Sequence, residues 1–283
     1  MTESATSRRI VFLGAGNMAS AIFGGMLKGG YPADAILATS RTQARRESIE
    51  AEYGIRTTAD NGVAVAEADV VVLAVKPQMM RELCESLREA FQARRPLVVS
   101  VAAGLDAATL DDWLGGGLAV IRCMPNTPSL VGEGVSGLYA NGKVSDDQRR
   151  LTTQLFEPVG LVEWVDDERL IDAVTAISGS GPAYFFLFIE SLEAAGVDLG
   201  LPQESARRLA LQTAFGAAKM ARQSEFDPAE LRRRVTSPNG TTERAIRTFE
   251  AAGLAQIVDD AAQACAERAR ELSQELSQAP SQN

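Results

Sequence analysis

Short, uninterrupted apolar runs recur along the first half of the chain and constrain its fold more than any other feature. Ile10-Val-Phe-Leu13, Ala35-Ile-Leu-Ala38, Asp69-Val-Val-Val-Leu-Ala-Val75, Leu97-Val-Val-Ser-Val101 and Ala119-Val-Ile-Arg-Cys123 are each about one strand long. They do not alternate apolar with polar residues. Continuous apolar strands suit burial on both faces, the condition of parallel strands covered by helices. The stretches between them, 17–28, 42–53 and 77–91, are long enough for crossover helices. Repeated βα units predict a doubly wound parallel sheet, an N-terminal α/β domain of the Rossmann kind over residues 8–165.

After residue 165 the strand signals stop. Pro182 follows a Ser-Gly-Ser-Gly turn and suits a first helical position. That turn reads as a tight backbone bend into a helix reaching Ala195, and Arg122 and Asn126 read as structural supports nearby. The helix carries Tyr184, Phe185, Phe186, Leu187, Phe188 and Ile189 in succession. Being apolar all round, it is expected to be buried, against a second subunit if not within its own chain. Further helices are expected from Pro202 to Arg222, after Asp227-Pro228, after Thr242, and over 254–276, with a break at Ser237-Pro-Asn-Gly240. Residues 166–283 therefore read as an all-helical C-terminal domain.

Composition narrows the function. The net charge of −9 argues against a grip on nucleic acid or an anionic membrane. No unbroken apolar run reaches the roughly 18–20 residues of a membrane span. The start, Met1 to Arg9, lacks the layout of a signal peptide and reads as a short tail, leaving the cytoplasm as the default compartment. Cys84, Cys123 and Cys265 have neither metal nor redox spacing, and no metal is expected. The chain contains no histidine, which excludes histidine zinc sites and histidine-based triads.

Gly14-Ala15-Gly16-Asn17-Met18-Ala19 follows the first expected strand and opens a helix. In that context the glycines permit the tight turn and a close backbone approach to a diphosphate, and the helix start favours the anion. An acid at the end of the second strand would hold a ribose 2′-hydroxyl. Here the chain reads Thr39-Ser40-Arg41-Thr42, and a hydroxyl beside a guanidinium suits a 2′-phosphate, so NADPH is expected, with NADH as the alternative. Ala74, Val75 and Lys76 end the third run on the same edge of the sheet and are expected to line the cofactor. Asn61 reads equally well as a helix cap.

These residues resemble the pyrroline-5-carboxylate reductase family, which makes proline using NAD(P)H. The resemblance spans residues 9–275. It rests on Gly-Ala-Gly-Asn-Met-Ala (14–19), Ala-Val-Lys-Pro (74–77), Val-Ala-Ala-Gly (101–104), Arg-Cys-Met-Pro-Asn-Thr-Pro (122–128), Leu-Ile-Asp-Ala-Val-Thr (170–175), Ser-Gly-Ser-Gly-Pro-Ala-Tyr (178–184) and Val-Thr-Ser-Pro-Asn-Gly-Thr-Thr (235–242). The last two motifs are the specific ones. The resemblance implies cofactor positions at Ala15, Asn17, Met18, Ser40, Asn61, Val75, Lys76 and Ala103, and substrate positions at Glu168, Thr241 and Thr242. It also implies a homodimer, or a ring of dimers, with substrate loop and cofactor drawn from different subunits. The family resembled usually has Gly-Gly where this chain has Asn239-Gly240, and often Asp or Asn where it has Arg233 and Arg234.

The implied reaction is hydride transfer to a small cyclic imine that bears a carboxylate. A protonated imine is electrophilic without a strong general acid, so an enzyme without histidine can reduce it by positioning and desolvation. In the loop Ser237–Thr242, the backbone of Gly240 and Thr241 is expected to take the carboxylate. Thr242, the expected catalytic residue, would bond the ring nitrogen, and Glu168 would match the cationic side. The plainer reading is a capped interhelical turn with Thr241 or Thr242 as N-cap. One rival is another NADP-dependent imine or β-hydroxyacid oxidoreductase. The latter usually places a lysine on the first helices of its second domain, whereas residues 170–200 contain none. Another rival is a non-catalytic NADP-binding sensor.

Overall fold

The computed structural model describes residues 8–278; the expected N-terminal tail before Arg8 and the last polar residues lie outside that range. The chain forms two compact units, one ending at Gly179 and resuming at Cys265, the other Ser180–Ala264.

The first unit carries an eight-stranded sheet, β1 (Ile10–Leu13), β2 (Ile36–Thr39), β3 (Arg56–Thr58), β4 (Val70–Leu73), β5 (Leu97–Ser100), β6 (Val120–Pro125), β7 (Gly134–Ala140) and β8 (Gly160–Trp164). Its order is β3-β2-β1-β4-β5-β6-β7-β8. The first six strands are parallel; β7 runs antiparallel to β6 and β8 parallel to β7. Helices α1 (Asn17–Lys28), α2 (Gln43–Tyr53), α3 (Asn61–Glu67), α4 (Met80–Ser86), α5 (Arg88–Arg94), α6 (Ala107–Trp113), α7 (Asp146–Phe156) and α8 (Leu170–Val174) cover it. The expected helix over 77–91 is three pieces, a 3-10 turn at Pro77–Met79 followed by α4 and α5.

The continuous apolar runs have the predicted consequence. Ile10 and Phe12 of β1 pack with Ile22, Phe23 and Met26 of α1 on one face. Val11 and Leu13 pack with Val65 of α3, Met80 of α4 and Phe91 of α5 on the other. Burial on both faces leaves no register in which these strands expose an apolar side. Cys84 and Cys123 lie in these cores, where burial pushes both thiols up, Cys84 to about 12, and keeps them protonated and unreactive at neutral pH.

The second unit contains α9 (Gly181–Asp198), α10 (Gln203–Gln223), α11 (Pro228–Arg234), α12 (Thr241–Ala251) and the first part of α13 (Leu254–Gln278). α9 and α10 form an α-hairpin around Gly196, whose missing side chain admits Ala206 and Leu201. The expectation that the aromatic helix is buried does not hold within one chain. Phe185, Phe186 and Leu187 of α9 stay 68%, 64% and 64% exposed. The reason is that α9 meets α10 along one stripe, while its apolar residues run round the whole helix. With α8 and the π-helical turn Thr175–Gly179 it makes a helical stretch, Leu170–Asp198, whose most apolar 18-residue window has a mean hydropathy of 1.2. By length and composition alone that stretch reaches what a membrane crossing requires, although no unbroken apolar run does.

Candidate functional site

The strand order reverses between β1 and β4, and a crevice of about 500 Å³ opens at their carboxyl ends. That is where ligands bind in open α/β sheets. Gly14, Ala15 and Gly16 form one wall, Ser40 and Arg41 the rim beyond β2, and Ala74, Val75 and Lys76 the floor beyond β4, with Asn61 closing the side. Of the expected cofactor residues, Asn17, Met18 and Ala103 lie outside this lining. Asn17 and Met18 are the first residues of α1, and Met18 packs on the core. Ala103 is exposed in the loop after β5.

The two glycines of the turn act differently. Gly14 holds φ +96, and a Cβ there would stand 2.9 Å from the Ala74 carbonyl oxygen. A side chain at Gly14 would break the junction of β1 and β4. Gly16 is the N-cap of α1 at φ −77, and a Cβ there would meet nothing within 4 Å. Its missing side chain is therefore a space on the crevice side. No side chain caps α1, and the N–H groups of Asn17, Met18 and Ala19 find no acceptor among the described residues. Open donors at the positive end of a twelve-residue helix, beside a gap that a Cβ would fill, fit a diphosphate. Thr39 Oγ1 accepts from the Gly14 N–H at 3.1 Å and ties the turn to β2.

Asn61 is not the cap of its helix. Asp60 is, its carboxylate accepting from the Val63 N–H at 3.0 Å, which leaves Asn61 as the first helical residue facing the crevice.

Glu168 lies in the first unit. Its Oε1 accepts from the Ala107 N–H at the start of α6 (2.7 Å) and from Arg122 of β6 (3.0 Å). Arg122 is 7% exposed, so this pair joins β6, α6 and the segment before α8. Burial raises the nearby Asp172 carboxyl above its ordinary range against the opposing pull of Arg122 and Arg270. Glu168 also lines a second cavity of about 460 Å³ with Tyr139 and Lys143. Asn126 braces the π-helical turn, donating to the Ser178 carbonyl at 3.0 Å and accepting from the Val135 N–H at 2.9 Å. Gly179 lies against Met124 there, where a Cβ would stand 2.5 Å from its terminal methyl.

In the second unit, Asn239 adopts φ +59, one of two non-glycine residues at positive φ among those described. Asparagine tolerates this conformation better than most residues. Gly240 is the N-cap of α12, so Thr241 and Thr242 are its first two residues and neither is a cap. The Gly240 N–H donates to the Ser237 carbonyl at 3.0 Å. The donors open to an anion are therefore those of Thr241, Thr242 and Glu243, one residue further on than the expected pair of Gly240 and Thr241. Neither threonine hydroxyl bonds to a described residue. Glu243 reaches back to the Asn239 N–H at 2.7 Å and pairs with Arg247, which fixes the turn. Arg233 and Arg234 both bond Glu230, and Arg234 lies 3.6 Å from the Phe226 ring centre. Those two departures are thus absorbed within and beside α11.

A Rossmann sheet whose switch-point crevice carries an uncapped, glycine-fronted helix is the arrangement of a dinucleotide-binding protein, and the family matches make its class an oxidoreductase. Residues 9–104 match the family model described as NADP oxidoreductase, coenzyme F420-dependent, and residues 168–272 that described as pyrroline-5-carboxylate reductase dimerisation. The chain is 52% identical over 270 residues to the pyrroline-5-carboxylate reductase of Pseudomonas aeruginosa, covering 95% of this chain and 98% of that one. It superposes with a TM-score of 0.91 on a pyrroline-5-carboxylate reductase from Coxiella burnetii, 42% identical over 95% of this chain and 99% of that one. A pyrroline carboxylate reductase from Plasmodium falciparum with NADP bound gives a TM-score of 0.83 at 28% identity, over 94% and 98%. The chain belongs to the pyrroline-5-carboxylate reductase family.

Proposed function

We propose that this chain reduces 1-pyrroline-5-carboxylate to L-proline with NADPH, the last step of proline biosynthesis. The observation that carries the reading is the 52% identity to a reductase of that name over almost the whole of both chains. The uncapped start of α12 supports it. The crevice at β1 and β4 is read as the cofactor site, with the open N–H groups of α1 holding the diphosphate and Ser40 and Arg41 the 2′-phosphate. When bound, the dihydronicotinamide supplies the hydride. The chain's own part is placement. The N–H groups of Thr241, Thr242 and Glu243 receive the substrate carboxylate at the positive end of α12. The Thr242 hydroxyl accepts from the protonated ring nitrogen and so orients the electrophilic carbon. No histidine is needed, because the proton that activates the carbon arrives on the imine nitrogen.

The functional division is placed at residues 8–165 for the cofactor and 166–283 for substrate and subunit contact. The start of the dimerisation match at residue 168 supports it. A homodimer, or a ring of dimers, would bury the exposed aromatic face of α9, which lies inside that match. In that assembly the substrate loop of one subunit serves the cofactor of another. On this reading Leu170–Asp198 serves subunit contact rather than a membrane crossing, and the chain is a cytoplasmic enzyme that binds neither membrane nor nucleic acid, in keeping with its net charge of −9.

The test is NADPH oxidation by the purified protein with L-1-pyrroline-5-carboxylate, followed by absorbance. Saturable turnover is expected. Folded protein that binds NADPH and turns nothing over would favour the sensor. Arg41→Glu is expected to lower kcat/KM for NADPH about a hundredfold, by removing a charge-assisted contact and adding repulsion, and to leave NADH nearly unchanged. Equal losses with both cofactors would remove Arg41 from discrimination.

A further inference from the structure

Two consecutive arginines of α2 reach back to the two loops that form the crevice. Arg45 Nε donates to the Ala15 carbonyl at 2.9 Å, and its Nη2 to Ser20 Oγ at 2.8 Å. Arg46 Nη1 donates to the Ser40 carbonyl at 2.8 Å and the Arg41 carbonyl at 3.2 Å. Both side chains spend these donors on carbonyl and hydroxyl oxygens rather than on carboxylates. The two loops they reach have different tasks in the cofactor reading on which this inference rests.

The Ala15 carbonyl belongs to the peptide that joins Ala15 to Gly16. In a trans peptide the carbonyl and the following N–H point to opposite sides. Drawing that carbonyl toward α2 therefore turns the Gly16 N–H away from α2, in the turn that fronts the crevice. The second bond of Arg45, to the buried Ser20 of α1, fixes the start of the helix against the same guanidinium. Arg46 does the equivalent for the rim. It gathers the carbonyls of Ser40 and Arg41, and so sets the direction of the backbone that carries the hydroxyl and guanidinium expected to meet a 2′-phosphate.

We propose that Arg45 and Arg46 are positioning residues that divide the cofactor cradle between them. Arg45 holds the diphosphate turn, which NADPH and NADH use alike. Arg46 holds the Ser40–Arg41 rim, which NADPH alone requires. A purely structural tie between α2 and its neighbours would lower stability and would not separate the two nucleotides.

The experiment is equilibrium titration of the full-length protein with NADPH and with NADH, read by nucleotide fluorescence, for the wild type and for Arg45→Met, Arg46→Met and Arg45→Lys, with Tm and kcat at saturation recorded beside it. Arg45→Met removes both ties to the diphosphate turn and its helix and is expected to weaken both nucleotides by the same factor, about tenfold. Arg46→Met is expected to weaken NADPH about tenfold and leave NADH unchanged. In both, kcat at saturating NADPH stays near the wild-type value. Arg45→Lys keeps the charge but reaches a single acceptor; it recovers part of the loss, and carries the test if the methionine variant does not fold. A shift in the NADPH-to-NADH ratio from Arg45→Met, equal weakening of both by Arg46→Met, or no change in either overturns the division. A wild-type protein that binds neither nucleotide overturns the cofactor reading itself, and this inference with it.

Discussion

Thr242→Ala is expected to lower kcat/KM for 1-pyrroline-5-carboxylate by about tenfold to a hundredfold while leaving Tm unchanged. The first half of this follows from the proposed role. A hydroxyl that accepts from a charged ring nitrogen contributes on the order of 1.5–3 kcal/mol to the bound and reacting states. The second half follows from the geometry. If Thr242 were the N-cap of α12, alanine would cost about 1 kcal/mol of stability. Gly240 holds the cap position instead, and the Thr242 hydroxyl bonds to no described residue, so the folded chain loses nothing on truncation. Thr242→Ser keeps the oxygen and is expected to restore most of the activity. Steady-state kinetics with a parallel thermal melt separates the two effects. Unchanged turnover and unchanged KM in the alanine variant would strip Thr242 of its role and leave the carboxylate site at the helix start as the whole of the substrate grip.

Gly16→Val is expected to weaken NADPH binding by about a hundredfold or more in a protein that still folds. The site has room for the added Cβ within the chain: φ is −77 and ψ −177, ordinary extended backbone, and nothing lies within 4 Å of it. The valine then occupies the space through which the diphosphate approaches the open donors of α1, and losing about 3 kcal/mol of anion contacts corresponds to that factor. Gly14→Val supplies the contrast. At φ +96, with the Ala74 carbonyl 2.9 Å from its Cβ, it strains the backbone and lowers Tm before any ligand is added. Nucleotide titration and melting of both variants make the comparison. A Gly16→Val protein that binds NADPH as tightly as the wild type would show that the crevice receives the nucleotide elsewhere.

Much of the first unit was legible because its strands are buried on both faces. Ile10–Leu13 and Val70–Leu73 are apolar at every position, which marks them as strands covered on both faces, while their register was left to the tertiary packing. β7 was illegible for the opposite reason. Gly134-Val-Ser-Gly-Leu-Tyr-Ala140 carries two glycines and a serine, which read as turn chemistry. Those glycines are what the packing requires: a Cβ at Gly137 would stand 2.4 Å from Val174 of α8, and one at Gly134 would collide with Ser129. A strand specified by close neighbours rather than by its own propensity announces nothing locally. β3 escaped notice because it is a three-residue edge strand beginning at Arg56.

The sites divide in the same way. Local sequence alone determined the glycine turn, the missing acid after β2 and the helix break at Ser237–Gly240, because each depends on the conformational freedom or charge of residues adjacent along the chain. Tertiary structure decided which donors are free. Gly240 takes the cap that Thr241 or Thr242 was a candidate for, and its own N–H is used by Ser237. Glu168 meets Arg122 and the start of α6, and Arg45 closes on the carbonyl of a turn it does not adjoin. A hydrogen bond is set by where folding places both partners, and residues 46 or 30 positions apart carry no mark of their meeting until the sheet brings them together.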